Sequence, residues 1–265
     1  MTHDEYIFDD TSAEPELYRL RLLESVFDPK TREWLLSAGP LVGRRCLEVG
    51  AGAGSIAAWL GDQVGQSGRV TAVDSSVRFL AALGPRIDVV EGDMRSADVP
   101  FEHFDLVHAR YVLIHNAEAG AVLSAMLKAL KPGGFLVLEE PDFSAAVALV
   151  GRAELKRAVD NVRLATRATF SGRGMDYSFG RALPELVRSA SACVVNIDYD
   201  CPAAAGKSTL AEMMRLSTLA LEDKYVQTGC ATASDIAAYA EFAKSTDCWG
   251  VYYATVRVLA QKMRA

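Results

Sequence analysis

The chain lacks a cysteine framework: Cys46, Cys193, Cys201, Cys230 and Cys248 are an odd number of thiols with no C-x-x-C pair. That pattern argues against both a disulfide scaffold and a zinc site, and it fits free thiols in a reducing cytoplasm. Long apolar runs are missing too, since stretches such as 145–150 fall far short of the ~20 residues a membrane helix needs. The opening Met1-Thr2-His3-Asp4-Glu5-Tyr6 is acidic and has neither the basic nor the apolar region of a secretion signal. A cytoplasmic protein with no membrane partner is expected. Cationic excess is also absent: 34 acidic residues against 28 basic ones give a net charge of -6, a field that does not favour DNA or RNA. No internal repeat or low-complexity segment interrupts the chain.

What is present is enough apolar material, 50% of 265 residues, to bury the core of one large α/β domain or of a domain with an insertion. Residues 45–49, 69–73, 87–91, 104–109 and 134–140 are short runs rich in β-branched or aromatic residues and bounded by Gly, Pro or Asp, which predicts five strands. Helix-length segments lie between them at 55–60, 76–83 and 117–130, the last ended by Lys131-Pro132-Gly133-Gly134. Such alternation implies a mostly parallel sheet covered on both faces. A helical N-terminal cap over 1–40 precedes this core, with residues 17–36 helical and Asp28-Pro29 as a break. After the core (41–142), residues 143–192 read as a helical insertion or lid built on a helix over 153–170. The remainder, 193–265, carries a sixth strand at 193–199, a second helical insertion at about 206–245 opened by a Thr209/Glu212 capping box, and a final strand over 249–259.

The chemistry begins at Leu47-Glu48-Val49-Gly50-Ala51-Gly52-Ala53-Gly54-Ser55, a strand running through a glycine turn into a helix. Glycine permits positive φ and lets a ligand approach the backbone. A dinucleotide fingerprint would need glycine at position 55, where this chain has Ser55, so the spacing disfavours NAD and FAD. Asp74 ends the second strand 20 residues after Gly54, where a carboxylate can accept both hydroxyls of a ribose. The third strand ends in Glu91-Gly92-Asp93-Met94, where Asp93 can accept from an adenine amino group and Met94 can cover the ring.

Over residues 40–142 these ordered motifs resemble class I S-adenosylmethionine-dependent methyltransferases, with the more distal helices similar to those of bacterial natural-product enzymes. The resemblance implies a Rossmann-like α/β fold with a seven-stranded sheet and S-adenosylmethionine as cofactor. It implies a cofactor set of Glu48, Gly50, Ala51, Gly52, Gly54, Asp74, Ser75, Gly92, Asp93, Met94, Ala109 and Arg110. Phe104 to Arg110 matches the family's fourth strand, and Leu130-Lys131-Pro132-Gly133-Gly134 matches the turn into its fifth.

Departures from subfamily patterns narrow the acceptor to a small molecule. His108-Ala109-Arg110-Tyr111 stands where amino methyltransferases of adenine or glutamine carry Asn/Asp-Pro-Pro-Tyr, and the same strand end offers no carboxylate for a magnesium site, so no catalytic metal is expected. Catalytic candidates are His115, Tyr111, Glu140 and Asp142. His115 is either a core histidine or a general base. Arg110 either meets the cofactor's carboxylate or is solvated. Tyr111 can orient the acceptor, Glu140 or Asp142 can deprotonate it, and Asp142 can equally be a helix cap. Gly206-Lys207-Ser208-Thr209 resembles the tail of a phosphate loop, but Cys201 occupies the position of its first glycine. Three functions fit: methyl transfer to a small secondary metabolite, a non-methylating reaction on the same fold, and a non-catalytic cofactor-binding partner. The apolar face of the N-terminal helix leaves room for a homodimer.

Overall fold

The computed structural model describes residues 12–190 and 192–264. Ten strands are described: β1 Arg45–Val49, β2 Arg69–Asp74, β3 Ile87–Glu91, β4 Phe104–Arg110, β5 Leu130–Asp142, β6 Val147–Val150, β7 Ala192–Asp200, β8 Ala204–Ala205, β9 Trp249–Val251 and β10 Ala254–Lys262. Eight helices accompany them: α1 Ala13–Ser37, α2 Ser55–Gln63, α3 Ala119–Ala129, α4 Ala153–Ser171, α5 Leu183–Ser189, α6 Thr209–Ala220, α7 Glu222–Gln227 and α8 Ala233–Lys244. None is long and apolar enough to cross a membrane.

The chain divides into two compact units. The sheet unit comprises residues 27–140, 182–198 and 256–264, and the helical unit comprises 12–26, 141–181 and 199–255. In the sheet unit the strand order is β3-β2-β1-β4-β5-β10-β7, and β3, β2, β1, β4 and β5 run parallel to one another. β1 and β4 are buried along nearly their whole length, as parallel strands covered on both faces are. A core of Trp34, Leu35, Leu41, Cys46, Ile56, Leu60, Val70, Leu106 and Val137 seals α2 and the end of α1 against the sheet. The order reverses at β1, whose neighbours are β2 on one side and β4 on the other. Ligands collect at such a switch point, outside the carboxyl ends of the strands.

The seven-stranded, mostly parallel sheet is the expected one; several details differ. Residues 76–83 form turns, not a helix: Leu80 and Leu83 each close a three-residue turn, to Val77 and Leu80, and this spacing brings both leucines against Gly54. α1 runs unbroken through Pro29, because the carbonyl the proline leaves unpaired belongs to exposed Ser25, where water can satisfy it. The terminal strand splits at Tyr252-Tyr253, so that β9 joins β6 and β8 in a separate antiparallel sheet of the helical unit while β10 joins the main sheet. The cap of α6 is Ser208, whose hydroxyl accepts the Ala211 amide, while Glu212 pairs with Arg215. The helical unit does hold a capping box, on α8, from Thr232 and Asp235.

Candidate active site

The glycine turn between β1 and α2 is shaped by backbone that other residues adopt poorly. Gly50, Gly52 and Gly54 have φ of 71°, 57° and 87°. At Gly50 a Cβ would also stand 2.3 Å from Val112 Cγ2, so the turn and the segment after β4 are in close approach. Gly50 and Ala51 donate to the Val73 carbonyl, and Gly52 donates to Asp74 Oδ2 at 2.8 Å. Asp74 Oδ1 accepts the Ser76 amide at 2.9 Å, which holds exposed Ser75 in a tight turn. Burial raises the Asp74 carboxyl, against the Ser76 and Gly52 amides that pull it down. The Ser75 amide bonds it too, and a carboxylate offers about four lone-pair sites, so Asp74 can still accept a ribose hydroxyl.

At the end of β3, Gly92 donates to the Asp74 carbonyl and Met94 is buried. Asp93 is not a bare carboxylate: Arg95 grips both its oxygens, at 2.6 Å for the closest pair, and reaches Glu118 at 2.8 Å. An adenine amino group would therefore share Asp93 with a guanidinium.

At the end of β4, Ala109 is fully buried and Tyr111 takes a left-handed φ of 58°. Its amide donates to the Glu139 carbonyl and its ring meets Phe27 edge-on at 5.4 Å. A non-glycine residue held in this region marks a position that its surroundings overdetermine, a feature that concentrates at functional sites. His115 closes the 3-10 turn Leu113–His115 and is half-buried.

Two sequence expectations need correction. Arg110 is neither solvated nor presented to a ligand: its guanidinium donates to Asp28 Oδ1 at 2.9 Å and to Thr31 Oγ1 at 2.8 Å, tying β4 to α1. Glu140 does not stand as a free base. Its carboxylate accepts the amides of Val112, Leu113 and Ile114 at 3.0, 2.7 and 3.1 Å and so caps the 3-10 turn. Burial pushes its pKa up to about 8 despite those three donors. In the helical unit, Asp142 follows the cap reading, accepting from Ser144 and, at 2.6 Å, from the Tyr199 hydroxyl.

Sequence reasoning missed a buried ionic row that crosses five neighbouring strands. Glu48 on β1 lies 2.7 Å from His108 Nδ1 on β4, and His108 Nε2 lies 3.2 Å from Glu139 on β5. Arg257 on β10 donates to Glu139 at 2.8 Å and to Asp198 on β7 at 3.1 Å. A neutral imidazole has one donor, yet both ring nitrogens face carboxylate oxygens, so the cluster holds one extra proton. Burial alone would lower His108, but Glu48 and Glu139 outweigh it and push the imidazole up to about 9. Burial would raise Glu139, but His108, Arg110 and Arg257 hold it down at about 2. The row fixes Glu48, and with it the strand end from which the glycine turn departs. Its sequence signal is slight: an ionisable residue inside each of five strands, with nothing nearby in sequence to name its partner.

Residues 46–134 match the family model described as a methyltransferase domain. That segment, which carries the glycine turn, Asp74 and Asp93, is similar to a methyltransferase domain. Among curated relatives, a ubiquinone/menaquinone biosynthesis C-methyltransferase of Pseudomonas putida is 30% identical over 112 residues, 39% of this chain and 44% of that protein. A 37.1 kDa protein in a transposon of Streptomyces fradiae is 30% identical over 122 residues, 44% of this chain and 35% of that protein. The chain thus spans less than half the length of these relatives. Among solved structures, the fold is shared with phosphoethanolamine N-methyltransferase 2 of Haemonchus contortus in complex with S-adenosyl-L-methionine (TM-score 0.59, 17% identity, 100% of this chain and 61% of that one). It is shared also with the (4+2)-cyclase SpnF (TM-score 0.57, 19% identity, 89% and 81%). The glycine turn, the Asp74 carboxylate and the buried Met94 fit the nucleoside of S-adenosylmethionine. Among the described residues, no group of three or more His, Cys, Asp or Glu could hold a metal ion.

Proposed function

We propose that the chain transfers a methyl group from S-adenosylmethionine to a small-molecule acceptor, a secondary metabolite, by direct in-line displacement. The observation that carries this reading is the Gly52 amide joined to the Asp74 carboxylate at the switch point of the sheet, inside the segment matched to a methyltransferase domain. Asp74 and Ser75 take the ribose, Asp93, Met94 and Gly92 the adenine side, and Glu48 with Gly50, Ala51, Gly52 and Gly54 the methionine side. When bound, the cofactor supplies a methyl group made electrophilic by its sulfonium. The chain's own part is then to align the acceptor's nucleophile and to exclude water, and orientation of this kind carries much of a barrier. Glu140 and Asp142 are occupied by amides and hydroxyls; Tyr111, in its left-handed turn after β4, and His115 are the candidates to orient an acceptor or take its proton. The helical segments 143–192 and 206–245 set acceptor specificity. Relatives named for C-methylation make a carbon nucleophile a coherent choice.

Calorimetric titration with S-adenosylmethionine and S-adenosylhomocysteine, with NAD as control, tests the reading. Micromolar binding of both adenosyl ligands is expected; preference for NAD would sink it. A second reading, a non-methylating reaction, draws on the likeness to the cyclase. Product masses separate the two, because only transfer adds a methyl group and releases S-adenosylhomocysteine.

A further inference from the structure

Two carboxylates at strand ends of the sheet unit, Asp74 and Asp93, are held in different ways. Asp74 is held by the main-chain amides of Gly52, Ser75 and Ser76, which the fold cannot withdraw. Asp93 is held chiefly by a side chain. Its Oδ1 accepts the Arg95 amide at 2.8 Å and Arg95 Nε at 3.0 Å, and its Oδ2 accepts Nε at 3.1 Å and Nη2 at 2.6 Å. A carboxylate offers about four lone-pair sites, so these contacts fill Asp93. All but one come from the guanidinium, and a guanidinium can move. Arg95 also has a second carboxylate within reach. Its Nη1 donates to Glu118 at 2.8 Å, at the amino end of α3, where the Glu118 side chain is 71% exposed. Arg95 and Asp93 are themselves partly exposed, and an ion pair in contact with water is weak enough to be exchanged.

We propose that Arg95 is a displaceable latch on the adenine site: the adenine amino group takes over an Asp93 oxygen, and Arg95 turns to Glu118 in exchange. The latch rests on the reading of Asp93 as the adenine acceptor. In the free protein it keeps Asp93 compensated. An amino group repays the exchange, because it donates to the oxygen it wins. A 6-oxo purine presents an acceptor at the same place, is repelled by Asp93, and is tolerated only while Arg95 remains to donate to it. Arg95 therefore lowers the affinity for an adenosyl ligand and narrows its margin over an inosyl one. Glu118 acts the other way, by holding the released guanidinium.

Calorimetric titration of the full chain with S-adenosylhomocysteine and S-inosylhomocysteine tests the latch. Arg95→Met should tighten S-adenosylhomocysteine roughly two- to fivefold, the range of an exposed ion pair, and should weaken S-inosylhomocysteine. Glu118→Gln should weaken S-adenosylhomocysteine about twofold when Arg95 is present and change nothing once Arg95→Met is in place. Local damage to the site would weaken both ligands together, so shifts of opposite sign separate a latch from a merely structural role. Unchanged or weaker S-adenosylhomocysteine binding by Arg95→Met, an inosyl ligand that tightens with it, or a Glu118→Gln effect that is absent or survives in the double variant overturns the proposal. Asp93→Ala, made alone and on top of Arg95→Met, keeps the two readings apart. If it leaves S-adenosylhomocysteine affinity unchanged, adenine does not sit on Asp93 and the assignment falls with the latch; a clear loss, with no tightening from Arg95→Met, removes the latch alone.

Discussion

In the sheet unit a row of compensated ions, Glu48, His108, Glu139, Arg257 and Asp198, crosses the strands, whereas the helical unit buries the neutral phenols of Tyr225, Tyr239 and Tyr252. The difference follows from what an unpaired group costs. A buried charge without its partner is far more costly than a buried hydroxyl without one, so an ionic row must be complete while a ring of phenols tolerates a gap. Completeness suits a frame that must hold the strand end beneath the glycine turn in one geometry.

The largest effect should come from removing one member of the row. Arg257→Met takes from Glu139 one of the cations that compensate it, leaving His108, and takes from Asp198 its Arg257 contact; the loss of one partner from a buried ion pair costs about 3–5 kcal/mol. Urea denaturation followed by circular dichroism reads this directly; a loss under about 1 kcal/mol, the range of surface pairs, would mean that water reaches the row. Next in size is the pH response. His108 sits at about 9 in the fold, above its ordinary value, so its contribution to stability is complete below pH ~6.5 and disappears as pH rises through about 9. Glu139, held at about 2, acts in the opposite window: its contribution is present above pH ~4.5 and is lost as pH falls toward 2. Stability should therefore decline by on the order of a few kcal/mol between pH 6.5 and 9.5, and a flat profile across that range would place the extra proton elsewhere.

Asp74 lies between the two regimes, an ion that is only half-buried and keeps acceptor capacity. Asp74→Asn retains the shape but loses the charge, and charge-assisted hydrogen bonds are worth about 1.5–3 kcal/mol, so S-adenosylmethionine should bind roughly 10- to 100-fold more weakly. Calorimetry that finds unchanged affinity would remove Asp74 from the ribose site.

How much of this could be read beforehand divides along the same line. The glycine turn, Asp74 and the strand order around them are local signals, because a glycine with positive φ or an acid at a strand end declares itself within a few residues. The ionic row is not local: its members pair across 60, 31 and 118 positions, and nothing next to His108 in the chain names its partners. Arg110 and Glu140 were placed by their positions at strand ends, but α1 and the turn after β4 decide what they touch. The stretch 76–83 has helical length and composition, yet the need to bring Leu80 and Leu83 against Gly54 overrides its propensity. Tyr252 was legible only as a β-former, since whether its hydroxyl is satisfied depends on α6 and α8.

The smallest effects give the sharpest view of the phenols. Tyr225→Phe removes a hydroxyl that pairs with Thr166, whose own hydroxyl donates to the Val162 carbonyl, so the change should cost ~1 kcal/mol. Tyr252→Phe removes a hydroxyl with no protein partner among the described residues, so stability should stay within ~0.5 kcal/mol of wild type or rise slightly. Urea midpoints of the two variants, measured side by side without ligand, decide between an open hydroxyl and a closed one. An equal loss at both positions would mean that Tyr252 is bonded within the folded protein in solution, and the helical unit would then be as fully paired as the sheet.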